Sequence, residues 1–376
     1  MDLEIVITSR ISYGPGERTT DLRIRSLCLG LNVLGLVPSI NLGRTLTHEH
    51  FELDYTSFYK SPPQNVKTFM EDKITLRNAG LVKQYPYGCM YNLSLDVDTR
   101  PSIMKEMSLY HQWGGGSVVE NTSYGLKRNV SLMIKVQQET SVNIIAGTGY
   151  YLASVQFPSV LNMSKESMYD VMFTELTSGC VDYPEVKCGF IGEVASDWPI
   201  HDFEKRVIQA TAEVQSVLKC PVTFHPGRSP KAPFEIIRIF QEAGGDVRKA
   251  VMSHLDRTIP DPEVLLTFAE SGAYCQQDLF GTECSHYQFH STYDMPSDAQ
   301  RIDRIKLILE DGRADQILIS HDIHTKHRLM DFGGHGYSHI LNNVLHKMLT
   351  KGISQETIDK ITIENPKNWI CYEQHS

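Results

Sequence analysis

Residues 188–254 read CGFIGEVASDWPIHDFEKRVIQATAEVQSVLKCPVTFHPGRSPKAPFEIIRIFQEAGGDVRKAVMSH. Three short apolar or β-branched runs stand out: Cys188–Val194, Val222–His225 and Ala250–His254. Between them lie two stretches with apolar residues at helical spacing. Asp202–Leu218 carries Phe203, Val207, Ile208, Ala212 and Val217, and Ala232–Ala243 carries Phe234, Ile236, Ile237, Ile239 and Phe240. Strand–helix alternation of this kind predicts a parallel sheet. The same rhythm extends in both directions. Arg44–His50, Ser117–Asn121, Asn143–Gly147, Ala273–Asp278 and Gln316–His321 read as further strands, and Asp298–Asp311 as a further helix. Eight strands favour closure into a (β/α)8 TIM barrel over an open sheet, and no GxGxxG follows the first strand to support a dinucleotide fold.

The segment 52–104 is too long for one loop and one helix. It contains Pro62, Pro63, Pro86, Pro101 and several aromatics, and is expected to be an elaborated first βα loop at the barrel mouth. Residues 1–30 mix Arg10, Arg18, Arg23 and Arg25 with Asp2, Glu4, Glu17 and Asp21. That mixture fits neither a secretory signal nor a mitochondrial presequence. The expected organisation is an N-terminal extension over 1–30 and one barrel over 31–376. With 41% hydrophobic and 22% charged residues in 376, the chain has ample material for a large core. A formal net charge of −9 offers no attraction for nucleic acid or anionic membrane. No apolar run reaches the ~18–20 residues of a bilayer span. The eight cysteines are scattered without a CxxC pair, which points to reduced thiols and a cytoplasmic location.

Residues able to ligate metal fall at the C-terminal ends of these strands, the face where such barrels place their active sites. His48 and His50 end the first, Glu193 the fourth, His225 the fifth, His254 the sixth and Asp322 the eighth. Residues two apart on a strand share a side, so His48 and His50 can both aim into the mouth. Two imidazoles and a carboxylate suit zinc or a similar divalent ion. Glu193, with two oxygens, could bridge a metal pair ~3.5–4 Å apart. Glu193, His225 and His254 follow one another at about one βα unit of roughly 30 residues. An isolated HxH, or a lone strand-end histidine, is more often structural; it is the set of six that points to a metal site.

This set resembles the phosphotriesterase family of the amidohydrolase superfamily. The phrases Gly43–His50, His225–Arg228, Ser253–Thr258, His321–Lys326, Gly333–Leu341 and Ile363–Pro366 look like its animal phosphotriesterase-related group, and the likeness covers about residues 32–372. The resemblance implies that His48, His50 and Asp322 hold the more buried of two divalent ions, that His225 and His254 hold the other, and that Glu193 bridges them. It implies zinc, a metal-bridging hydroxide as nucleophile, and Asp322 as the proton acceptor. The bacterial phosphotriesterases proper use a carbamylated lysine as the bridge. Glu193 stands in that place here, which argues against copying an organophosphate activity.

The likeness further implies a small carbonyl substrate, an N-acyl amide such as N-acetyltaurine or an N-acetyl amino acid. A lactonase or phosphotriesterase is the alternative within enzymes, and a catalytically silent barrel acting as a binding protein is the alternative outside them. Anionic substrates call for a cation in the pocket, and Arg257, Arg228 and Lys326 all follow ligands at the catalytic face. Each could equally be a loop-bridging charge. Tyr150 and Tyr151 could line the pocket or pack. Glu120, Asn121 and Asp278 are candidate hydrogen-bond partners of the ligands. His324, His327, His335 and His339 are not needed to complete the set.

Overall fold

A computed structural model describes residues 28–70, 73–284 and 286–372. Most of the 1–30 extension therefore lies outside the described residues. The barrel strands are β1 (Arg44–Glu49), β2 (Gly115–Glu120), β3 (Asn143–Thr148), β4 (Phe190–Ala195), β5 (Val222–His225), β6 (Ala250–Met252), β7 (Tyr274–Gln277) and β8 (Ile317–Ile319). They form one parallel sheet in sequential order, with β1 and β8 as its two ends. The ends meet through a backbone bond, Asp322 N–H to the His48 carbonyl (3.1 Å), and through side chains. Thr47 Oγ1 lies 3.3 Å from the Ile319 carbonyl, and Ser320 Oγ accepts the His48 N–H (3.0 Å) and lies 2.8 Å from the His48 carbonyl.

Pleating divides the core in two. Val119, Ile145, Phe190, Val251, Tyr274 and Leu318 pack with Val37, Leu42, Trp369 and Ile370 as one buried cluster, the filling of the barrel. Their strand neighbours Val118, Ile144, Ile191, Met252, Cys275 and Ile317 join the larger cluster shared with the surrounding helices. The helices fall where the apolar spacing places them: Asp202–Leu218, Ala232–Glu242 and Asp298–Glu310. The first is capped by His201, whose ring accepts the Phe203 N–H, with Glu204 returning a bond to the His201 N–H. An antiparallel pair, Leu29–Asn32 with Gly35–Pro38, lies at the opposite end from the ligands, where Val33 N–H bonds the Ile144 carbonyl near the start of β3.

The first βα connection is elaborated as expected, although its helix already begins at Arg100. Leu53–Asp54 pairs with Ser94–Leu95, and Met70, Val82 and Cys89 form a small core of its own. Lys326, entertained above as a pocket cation, is instead a strut for this loop. Its ammonium bonds the Ser94 carbonyl and Asp96 Oδ2 (2.9 Å), away from the ligands.

Glu106, on the helix Arg100–Gln112, accepts the Met330 N–H (2.7 Å) and the Tyr337 N–H (3.1 Å), and Tyr337 in turn donates its hydroxyl to the His50 carbonyl (2.5 Å). Burial lifts the Glu106 carboxyl to about 7 despite those two bonds. The unfolded chain would release this proton near 4.5. The contribution to stability is therefore full below pH 4.5 and is lost as pH rises through 7. Glu106→Gln, which copies the neutral form, should flatten that fall, which amounts to about 3 kcal/mol. Urea unfolding at pH 4.5 and 7.5 checks this, and an unchanged pH slope would refute it.

Candidate metal centre

All six expected ligand side chains converge at the C-terminal mouth of the barrel, and none is more than slightly exposed. Glu193 Oε1 lies 2.9 Å from His225 Nδ1, 3.0 Å from His254 Nε2 and 3.3 Å from His48 Nε2. Asp322 Oδ1 lies 3.2 Å from His50 Nε2 and 3.7 Å from His48 Nε2. Two overlapping groups of ligand atoms thus share His48: His48, His50 and Asp322, and His48, Glu193 and His254. His225 joins the second through Glu193 and through its Nδ1, 3.0 Å from His254 Nε2. His254 and Asp322 both take left-handed backbone (φ 58° and 54°), uncommon for residues with a Cβ and often found at functional sites.

Hydrogen bonds fix which ring nitrogen each histidine presents. Glu120 accepts the Thr122 hydroxyl (2.6 Å), so Thr122 Oγ1 can accept from His50 Nδ1 (2.9 Å), leaving His50 Nε2 free toward Asp322. Asp278 receives His254 Nδ1 (2.8 Å) on one oxygen and faces His48 Nδ1 (3.1 Å) with the other. Both rings then turn an unprotonated Nε2 inward. This partnership of a carboxylate behind a histidine is a usual companion of metal ligation. His225 is turned the other way, with Nδ1 inward and Nε2 3.1 Å from the Arg257 guanidinium.

The donor set fits a cation. His48 Nε2 is buried without a hydrogen-bond partner. The cluster holds two carboxylates and four imidazoles away from water, an arrangement that is costly unless a positive charge compensates it. Without one, burial pushes His48 down, but Glu193, Asp278 and Asp322 outweigh it and lift the ring to about 10. Burial takes His225 down to about 3, with only partial relief from Glu193. Glu193 and Asp322 resist burial and stay well below the usual carboxylate range because imidazoles surround them. A third group, Glu175, Cys180 and Asp182, has its charge met by the Arg128 guanidinium, 2.8 Å from Glu175 and 2.5 Å from Asp182.

Five of the six candidate ligands, His50, Glu193, His225, His254 and Asp322, line a small cavity at the barrel mouth. Its wall includes Arg257 and Arg228. Tyr150 is a correction. Its ring stacks on Tyr124 and its hydroxyl reaches the Met163 sulfur, whereas Tyr151 lines the cavity, 3.4 Å from His225 Nδ1. Tyr150 pairs with β4 through its carbonyl, and neighbours on extended backbone face opposite ways. Among the wall residues that sequence reasoning did not place there are Tyr55, Tyr87 and His324. Tyr55 and Tyr87 come from the long first loop, where only its richness in aromatics was a signal. His324 lies with Nδ1 3.2 Å from Asp322 Oδ1 and Nε2 3.1 Å from the Tyr87 hydroxyl; its place two residues after Asp322 was the available clue.

Comparisons with known proteins agree with this geometry. A phosphotriesterase-related protein of Aedes aegypti is 52% identical over 336 residues, covering 88% of this chain and 94% of that protein. An N-acetyltaurine hydrolase of Xenopus tropicalis is 48% identical over 341 residues, covering 91% and 97%. Among solved structures, a resiniferatoxin-binding protein of Rhodobacter sphaeroides superposes with a TM-score of 0.86 at 26% identity, covering 91% of this chain and 94% of that one. The profile of the Phosphotriesterase family matches residues 31–370, and with the barrel and its ligand-bearing mouth this establishes that the chain belongs to that family and is a metal-dependent hydrolase.

Proposed function

We propose that the chain is a binuclear, zinc-dependent amidohydrolase of the cytoplasm that cleaves small N-acyl amides bearing an anionic group, N-acetyltaurine or an N-acetyl amino acid. The observation that carries the metal reading is the buried, unpartnered His48 Nε2 between Glu193 and Asp322. The name of the Xenopus tropicalis relative supports the substrate reading. His48, His50 and Asp322 would hold one ion, His225 and His254 the other, with Glu193 between them. Bound there, divalent ions would acidify a water and polarise the acyl carbonyl.

The remaining steps belong to the chain's own residues. Asp322, ionised by its imidazole neighbours, accepts the proton of the attacking water on its carboxylate. A bond forms between the water oxygen and the acyl carbon as the carbonyl π bond opens onto its oxygen. As the carbon–nitrogen bond breaks, Asp322 returns the proton to the departing amine. Tyr55, Tyr87 and Tyr151 wall the cavity and keep bulk water from the reacting centre.

Arg228 is the better placed anchor for the anion. Its Nε donates to the Tyr287 hydroxyl (2.8 Å), its plane lies over Phe289 (4.5 Å), and no carboxylate pairs with it among the described residues. Arg257 is committed to Thr258 Oγ1, the Pro226 carbonyl and His225 Nε2. Ligation of His225 through Nδ1 would place its proton on Nε2, where Arg257 can no longer donate, so Arg257 becomes a second contact.

Arg228→Met should raise KM for an anionic amide by on the order of 10- to 100-fold, the range of a hydrogen bond to a charged group. kcat, and the kinetics of a neutral amide such as N-acetylethanolamine, should change little. Equal losses on both substrates would exclude an anion anchor. The reading as a whole is tested by assaying zinc-loaded protein on N-acyl amides, lactones and aryl phosphotriesters. Preference for lactones or phosphotriesters would overturn the amide assignment. Absence of turnover on all three would favour a silent binding barrel.

A further inference from the structure

Glu49 stands between two proposed ligands, yet its fully buried carboxylate is committed to the opposite end of the sheet. Oε1 accepts the Ser320 hydroxyl (2.8 Å), the His321 N–H (2.9 Å) and His321 Nδ1 (2.7 Å), and Oε2 accepts the Ile323 N–H (3.0 Å). The N–H groups on both sides of Asp322 therefore end on one side chain from β1. The carbonyls of the same turn end on a buried cation. The Arg328 guanidinium bonds the carbonyls of His321, Asp322 and Phe280. Asp322 N–H itself bonds the His48 carbonyl (3.1 Å).

We infer that Glu49 and Arg328 are positioning residues that together hold Asp322 in place for the inner half of the site. The reason is geometric. β1 and β8 are the two ends of the sheet and form no ladder with each other, so the backbone bond from Asp322 to His48 needs support from side chains to locate residues 320–323 relative to His48 and His50. Asp322 also sits at φ 54°, a conformation that persists only where its surroundings over-determine it. Glu49 supplies acceptors for donors that would otherwise be buried and unpaired, and Arg328 donors for the matching carbonyls. His321 extends the clamp outward, since its Nε2 accepts the Ile340 N–H (3.0 Å).

The clamp rests on the reading of Asp322 as a metal ligand, and its test separates the two. Glu49→Gln keeps the shape but offers an amide NH2 where one of the flanking N–H groups needs an acceptor. Elemental analysis should find two ions per chain in the unaltered protein and fewer in Glu49→Gln. The visible spectrum of the cobalt-loaded variant should shift, and kcat should fall on the order of 10- to 100-fold, as for partners behind metal ligands, with KM little changed. A variant with two ions and an unaltered cobalt spectrum would overturn the clamp while leaving the metal site standing. An unaltered protein that holds no ions would overturn the parent reading instead. Hydrogen exchange of the metal-free, unaltered protein gives an answer even if the variant does not fold. The His321 and Ile323 amides should remain protected, and exchange at loop rates would overturn the clamp.

Discussion

Asp322→Asn is expected to lower kcat/KM on the order of 10³-fold while leaving the fold intact. The size follows from what the substitution removes: the general base, a group that typically supplies 10²–10⁴. The asparagine retains an oxygen near His50 Nε2 and a backbone N–H for the His48 carbonyl, so the turn that carries it survives. It cannot take a proton from water, and it cannot return one to the departing nitrogen. The two losses act on the same reaction coordinate, so kcat falls rather than KM rising. Metal content measured beside turnover separates the explanations. Near-normal turnover with metal retained would remove Asp322 from proton transfer. Lost turnover with lost metal would leave it as a ligand only.

Glu193→Gln is expected to abolish measurable turnover by emptying half of the site. One oxygen of Glu193 touches three inward imidazole nitrogens, so its charge is shared by both halves of the centre. Two dications ~4 Å apart repel by roughly 16 kcal/mol even at an effective dielectric of 20. Among the ligand atoms, only Glu193 and Asp322 carry the negative charge that opposes this. A neutral glutamine leaves Asp322 alone, so the chain should keep about one ion instead of two. Elemental analysis against unaltered protein is the check. Two ions retained by Glu193→Gln would show that the bridging carboxylate is not what holds the pair.

The barrel was legible because its strands are short apolar runs and three of its helices carry apolar residues at helical spacing. Where the reading overshot, side chains take over from the ladder. The run Ala250–His254 is a strand only to Met252, because His254 turns left-handed and gives its N–H to Asp278. Gln316–His321 shortens to Ile317–Ile319 as Ser320 and His321 turn to bond β1. The six candidate ligands that the structure brings together were all read from strand ends. Their neighbours were not. Tyr55 and Tyr87 arrive from a loop without periodicity, and Lys326 is drawn away by Asp96, more than two hundred residues earlier. Tyr150 and Tyr151 differ only by pleat direction, which pairing with β4 decides. His324 looked superfluous because a ligand count ignores what sits beside the last ligand.

Most direct for the central claim is a metal titration. Chelator-stripped protein, titrated with zinc and followed by calorimetry, should bind two equivalents per chain. Alanine at His48, the residue common to both ligand groups, should leave fewer than two. Saturation at one equivalent or none, or a His48→Ala protein that still binds two, would contradict the account.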